Sequence, residues 1–224
     1  MLAITDKLSW YVTRSSGLVA WALVTASIVW GLTLSGRLVR RRGVPAWLLA
    51  LHRHLSALSL VFIGVHLLGL VADNWVHFGW SELFVPMASP WRPGAVAWGI
   101  VAMYLLIAIQ VTSLLMRRLP RRLWHGIHLT SFVVFVAGTV HGFQSGADRS
   151  NRLVQWGCLS GCAIVLSLVI FRLATRGSRR RRGDRAGLDR REAASTAATD
   201  TDGSSWAPPT GAPVDDREPL STAR

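Results

Sequence analysis

The chain has 224 residues, of which 50% are hydrophobic and 17% charged, with eleven tryptophans and a mean hydropathy of +0.33. A soluble domain carries about a quarter charged residues, and the apolar residues here run in long blocks without polar interleaving. Those two facts exclude a soluble globular protein and predict an all-α, polytopic membrane bundle. The net charge of +13 is almost wholly arginine, since Lys7 is the single lysine. The arginines sit at the ends of apolar blocks and in the C-terminal stretch, which is the pattern of topology signals; no nucleic-acid partner is expected.

Five blocks approach the length of about 20 residues that a spanning helix needs. They run over residues 17–35, 46–72, 95–116, 123–143 and 153–174. The first is too long for a typical signal-peptide core and has no small-residue cleavage site before its arginines. Arg37, Arg40, Arg41 and Arg42 follow block one, Arg117, Arg118, Arg121 and Arg122 separate blocks three and four, and Arg176 with Arg179 to Arg182 follow block five. The opposite side holds only Lys7, Arg14, Arg92, Arg149 and Arg152. Positive-inside bias therefore predicts an external N-terminus and a cytoplasmic C-terminus.

The longest connection, residues 73–93, faces outward in this topology, and its Trp75, Trp80 and Trp91 suggest an interfacial belt with a short surface helix. Cys158 and Cys162 lie four apart inside block five and read as small packing residues. From residue 177 onward the composition turns to Arg, Asp, Ser, Thr, Ala, Gly and Pro. Such a stretch buries too little apolar area to offset ordering, so 1–176 is expected to be the membrane domain and 177–224 a disordered cytoplasmic tail, its first basic run lying on anionic lipid.

Four histidines carry the chemistry. His52 and His66 lie on block two, fourteen residues apart, and His128 and His141 on block four, thirteen apart. Each pair is separated by roughly 20 Å along its helix, most of a hydrocarbon core of about 30 Å. Ionisable side chains at membrane depth are costly and usually functional. Fourteen residues return a helix to within about 40° of its starting direction, so His52 and His66 share a face with Ser56, Ser59 and Ile63. Thirteen leave about 140° between His128 and His141. The second pair therefore requires a π-bulge, an overwound turn or a kink, for which Gly138 and Gly142 are the expected places. His125 is a rival to His128, which is preferred because its depth matches His52. Blocks two and four run parallel, so His52 pairs with His128 on the cytoplasmic side and His66 with His141 on the outer side. Two bis-imidazole sites at two depths suit axial ligation of heme iron. The competing reading is four histidines bonded to neighbouring helices; His54 and His77 are assigned such structural or interfacial roles.

The stretches WYVTRSSGLVAWALVTASIVWGL, LHRHLSALSLVFIGVHLLGL and LWHGIHLTSFVVFVAGTVHG resemble the ferric reductase-like transmembrane domain family. That family comprises the membrane cores of ferric reductases and NADPH oxidases and the heme subunit of the bacterial methionine sulfoxide reductase system. The resemblance covers about residues 9–174. It implies two b-type hemes held by His52, His66, His128 and His141, and a thirteen-residue step also occurs in the family. Arg14 and Arg53 are candidates for the propionates of the outer and inner heme. Phe132 and Phe135 lie between the two histidine levels. The flavin and nicotinamide module of ferric reductases has no counterpart in the polar residues after block five, so no FAD or NAD(P) site is expected and a separate flavoprotein or quinol is implied as donor.

The expected function is thus an oxidoreductase component in the cell membrane, in contact with lipid, passing electrons to ferric iron, dioxygen or a partner redox protein outside. A heme-free transporter subunit is the first alternative, against which stands the lack of Asp and Glu in all five blocks. A membrane anchor docking through its basic tail is the second.

Overall fold

The computed structural model describes residues 2–35, 46–72, 78–145 and 151–203. Helix α1 spans Leu2–Ser35, α2 Ala46–Val71, α3 Trp80–Phe84, α4 Pro93–Leu114, α5 Arg121–Leu129, α6 Ser131–Ser145 and α7 Arg152–Gly203. Among the described residues there is no strand. Five helical stretches are long and apolar enough to cross a membrane: Leu8–Ser35, Ala46–Val71, Pro93–Leu114, Arg121–Ser145 and Arg152–Thr175. Each overlaps an expected block, the first starting at Leu8 rather than at residue 17, because a run of about 20 apolar residues has few other ways to satisfy its backbone in lipid. Leu68, Trp156 and Leu166 are each at least 60% exposed, which suits a surface that meets acyl chains rather than water. Trp75, His77, Arg149 and the arginines between α1 and α2 lie outside the described residues.

Residues 1–173 form one compact unit. Within it α1 packs along α2, and α4 along α6, with α1 also touching α6 and α2 touching α4. The α1–α2 seam is close because its residues are small: Ser59 is fully buried, and Gly69 lies against the Thr13 backbone. Trp30 Nε1 donates to the Leu48 carbonyl at 2.9 Å and pins the far end of this seam. The central core gathers Val24, Ile28 and Leu32 of α1, Leu106 of α4, Phe135 of α6 and Val165 of α7. Trp21 stacks on Phe135 with ring centres 6.1 Å apart and donates from Nε1 to Thr139 Oγ1 at 2.9 Å. Gly161 of α7 seats that indole, since a Cβ there would lie 2.7 Å from Trp21 Cη2. Gly161→Leu is accordingly expected to lower the thermal midpoint of the detergent-solubilised protein, whereas Gly157→Leu, where a Cβ meets open space, leaves it in place; overpacking of this kind costs about 1–3 kcal/mol.

The fourth span differs from expectation in where it breaks. Gly138 and Gly142 lie inside the continuous helix α6, and the interruption falls at Thr130. There the Thr130 amide donates to the Ile127 carbonyl at 3.0 Å, a three-residue step, and its Oγ1 donates to the same oxygen at 2.7 Å. A threonine hydroxyl that competes for a backbone carbonyl favours an overwound turn in a way that glycine does not. The break lies between His128 and His141, where a thirteen-residue step needs it.

The connection between α2 and α4 contains the expected short helix, α3. Trp80 is 73% exposed and stacks on Phe84. Arg92, with φ of 43°, holds a left-handed conformation just before α4, and its guanidinium donates to the Gln144 carbonyl at the end of α6. That bond ties the start of one span to the end of another. Cys158 and Cys162 are free thiols, and Cys162 packs against the core. Residues 174–224 form a second unit. There α7 continues to Gly203, beyond the boundary that composition suggests at 177. Its Ala, Arg, Leu and Glu residues favour the helix locally, and no proline intervenes before Pro208. Residues 204–224 lie outside the described residues.

Candidate functional site

The structure brings the four histidines together as two facing pairs. The rings of His52 and His128 have centres 6.0 Å apart with an interplanar angle of 69°. Those of His66 and His141 are 6.3 Å apart at 88°. First member faces first and last faces last, as two parallel spans require. His128, and not His125, stands opposite His52; His125 is exposed, beside Trp124. His54 is also exposed, and its Nδ1 donates to the Ala50 carbonyl of its own helix at 2.8 Å.

Three of the four rings are anchored to a neighbouring helix through Nδ1. His66 Nδ1 donates to the Thr13 carbonyl at 2.7 Å, His141 Nδ1 to the Ala95 carbonyl at 2.8 Å, and His52 Nδ1 to the Ser27 carbonyl at 3.1 Å. A carbonyl only accepts, so Nδ1 carries the proton in each ring and Nε2 is left as the lone-pair nitrogen. Such a bond fixes tautomer and orientation and makes the imidazole a stronger ligand. Ser27 Oγ lies 3.3 Å from His52 Nδ1 and 3.0 Å from Ser56 Oγ, extending the polar chain between α1 and α2.

Each anchored ring also rests on a glycine. A Cβ on Gly17 would lie 3.0 Å from His66 Nδ1, one on Gly31 3.2 Å from His52 Cε1, and one on Gly99 2.7 Å from His141 Nδ1. In every case the glycine follows the accepting carbonyl by four residues: Thr13 and Gly17, Ser27 and Gly31, Ala95 and Gly99. Side chains of a helix lean toward its N-terminus, so the residue at i+4 covers the carbonyl of residue i. Glycine at i+4 uncovers that oxygen and lets a ring reach it. Sequence reasoning missed these partners, although a signal was present. The hydroxyl–glycine pair of α1 repeats after fourteen residues, the same step as His52 to His66, which is the signature of two antiparallel helices in register.

A cavity of about 440 Å³ opens beside His66 and His141, within the range of about 300–1,000 Å³ typical of cofactor and ligand pockets. Its walls are mainly apolar, with Trp21, Val24, Met103 and Phe135 among them. Arg14 lies on it, its guanidinium 3.9 Å from the Trp10 ring centre. Glu82 lies on it too. Its own backbone N–H and the Ser81 hydroxyl, which donates at 2.9 Å, hold that carboxyl below the usual carboxylate range. Arg53, the other candidate cation, is exposed next to His52. Phe135 lies between the histidine levels as expected and is joined there by Trp21, which the sequence did not single out.

Five apolar helices and paired imidazoles at two depths define a multi-pass, all-helical membrane domain. The family described as ferric reductase like transmembrane component matches residues 16–139, and the chain belongs to that family. The matched stretch contains His52, His66 and His128 and ends two residues before His141. No curated protein and no solved structure matches the chain. Membership points to transmembrane electron transfer as the general activity.

Proposed function

We propose that the chain is a b-type di-heme protein of the cell membrane that moves electrons from a cytoplasmic-side donor, a flavoprotein or membrane quinol, to an external acceptor such as ferric iron, dioxygen or a partner redox protein. The observation that carries the reading is the separation of the paired rings. Two imidazoles that share one metal, each bonded through nitrogen at about 2.0 Å, have ring centres about 6 Å apart. The observed 6.0 and 6.3 Å fit that distance. The uncovered carbonyls at Thr13, Ser27 and Ala95 fit it as well, because they leave Nε2 free to ligate.

Heme iron, when bound, supplies a one-electron ferric–ferrous couple. The residues of the chain do the rest. His52 and His128 would hold one group, and His66 and His141 the other. Trp21, Phe135 and the aliphatic residues around them exclude water from the space between. Arg14, on the His66–His141 cavity, would meet a propionate. With two imidazoles from the chain holding each group, the acceptor would meet the site at the edge of the cavity. The arginine clusters favour an external N-terminus and a His66–His141 level nearer the external face.

Purified from membranes and reduced with dithionite, the protein is expected to show a b-type α-band, with two hemes per chain by pyridine hemochromogen assay. A preparation that folds in detergent yet shows no such band after expression with ample heme supply ends the proposal. Orientation is checked separately by reporters fused after Gly203: a cytoplasm-active reporter should be on, and a periplasm-active one off.

A further inference from the structure

The fourth histidine lacks the device that seats the other three. Fourteen residues beyond Ala95 and Gly99 on α4 stand Ile109 and Ser113, the positions that would repeat the carbonyl–glycine pair. Ile109 is buried, like Ala95, but no glycine follows it. Its carbonyl instead accepts the Thr112 hydroxyl at 3.1 Å, the same hydroxyl that lies 2.7 Å from the Ala108 carbonyl. Helix α4 packs against α5, which carries His128. Among the described residues His128 Nδ1 is buried and has no partner. The ring stacks on Trp124 instead, with centres 5.1 Å apart and planes at 21°.

We propose that Thr112 and Ser113 withhold a carbonyl acceptor from His128 and thereby make the His52–His128 level the higher-potential of the two iron sites. The inference rests on the di-heme reading. Donation from Nδ1 to a carbonyl raises the basicity of Nε2, and a more basic ligand favours the ferric state. At the His66–His141 level both ligands donate, over 2.7 and 2.8 Å. At the other level only His52 does so, over 3.1 Å. Number and length of the bonds point in the same direction. Thr112 and Ser113 are positioning residues; they act on the iron only through His128.

The test is a redox titration of the purified holoprotein, followed at the α-band, with heme per chain measured independently. Wild type is expected to titrate in two steps. His66→Ala, which removes a ligand of the other level, is expected to keep the higher step and lose the lower. The double variant Thr112→Ala with Ser113→Gly frees the Ile109 carbonyl and uncovers it. Its higher step is expected to move down by about tenfold in the reduction equilibrium, about 59 mV for a one-electron couple, while the lower step stays. A merely structural role for Thr112 and Ser113 leaves both steps in place or loses heme without a shift. Retention of the lower step in His66→Ala, or two unmoved steps in the double variant, overturns the inference while two hemes per chain leave the wider reading intact. Absence of heme from wild type removes both, and the stoichiometry assay reports that separately.

Discussion

His66→Ala, and separately His141→Ala, is expected to lower the heme content of the purified protein from two per chain to one, and to bring electron transfer to an external ferric chelate down to background in reconstituted vesicles. The ring of each faces the other across 6.3 Å, so removing either leaves a single imidazole where the proposed site uses two. His52→Ala and His128→Ala should each remove the other heme with the same stoichiometry. The discriminating controls are His54→Ala and His125→Ala. Both side chains are exposed, and His54 is occupied by its own helix. Two hemes should therefore survive in each. If His125→Ala lost a heme while His128→Ala kept both, the pairing of His52 with His128 would be wrong.

Gly99→Ala has the second largest expected effect, and it leaves every ligand in place. The added Cβ would stand 2.7 Å from His141 Nδ1 and 2.8 Å from its Cε1, closer than side-chain carbons tolerate. Because the same ring is tied to the Ala95 carbonyl four residues earlier, it has no free direction in which to retreat. The expected result is loss of one heme or its replacement by a high-spin species with one ligand displaced, visible in the spectrum of the oxidised protein. Gly17→Ala, at 3.0 Å from His66, should be milder, and Gly31→Ala, at 3.2 Å from His52 Cε1, milder still. Gly64→Ala meets open space away from the cavity wall and should leave the spectrum unchanged. A flat response across this series would mean that the glycines do not seat the rings.

The five spans and the two histidine levels were legible in the sequence for reasons that need no tertiary structure. Apolar runs of spanning length have one stable form in lipid, and arginines flank several of their ends. The fourteen-residue step from His52 to His66 fixes a common face through helix geometry alone. The thirteen-residue step already required a break between His128 and His141. Its location was not legible, because the choice between glycine flexibility and a threonine hydroxyl is settled by which carbonyl that hydroxyl reaches. The three carbonyl–glycine seats were only half visible. The repeat on α1 can be seen in the chain, but its meaning depends on the register of α1 against α2.

The sequence by itself thus determined which segments enter the membrane and that four imidazoles lie at two depths, since hydropathy and helical period are local properties. Only the tertiary structure decided that Nδ1 is bonded and Nε2 left free in three of the four rings. That depends on bonds such as His66 to Thr13 and His141 to Ala95, made between residues 53 and 46 positions apart. It also decided that His128 stands without such a bond, because an acceptor is granted or withheld by the neighbouring helix and not by the residues beside the histidine.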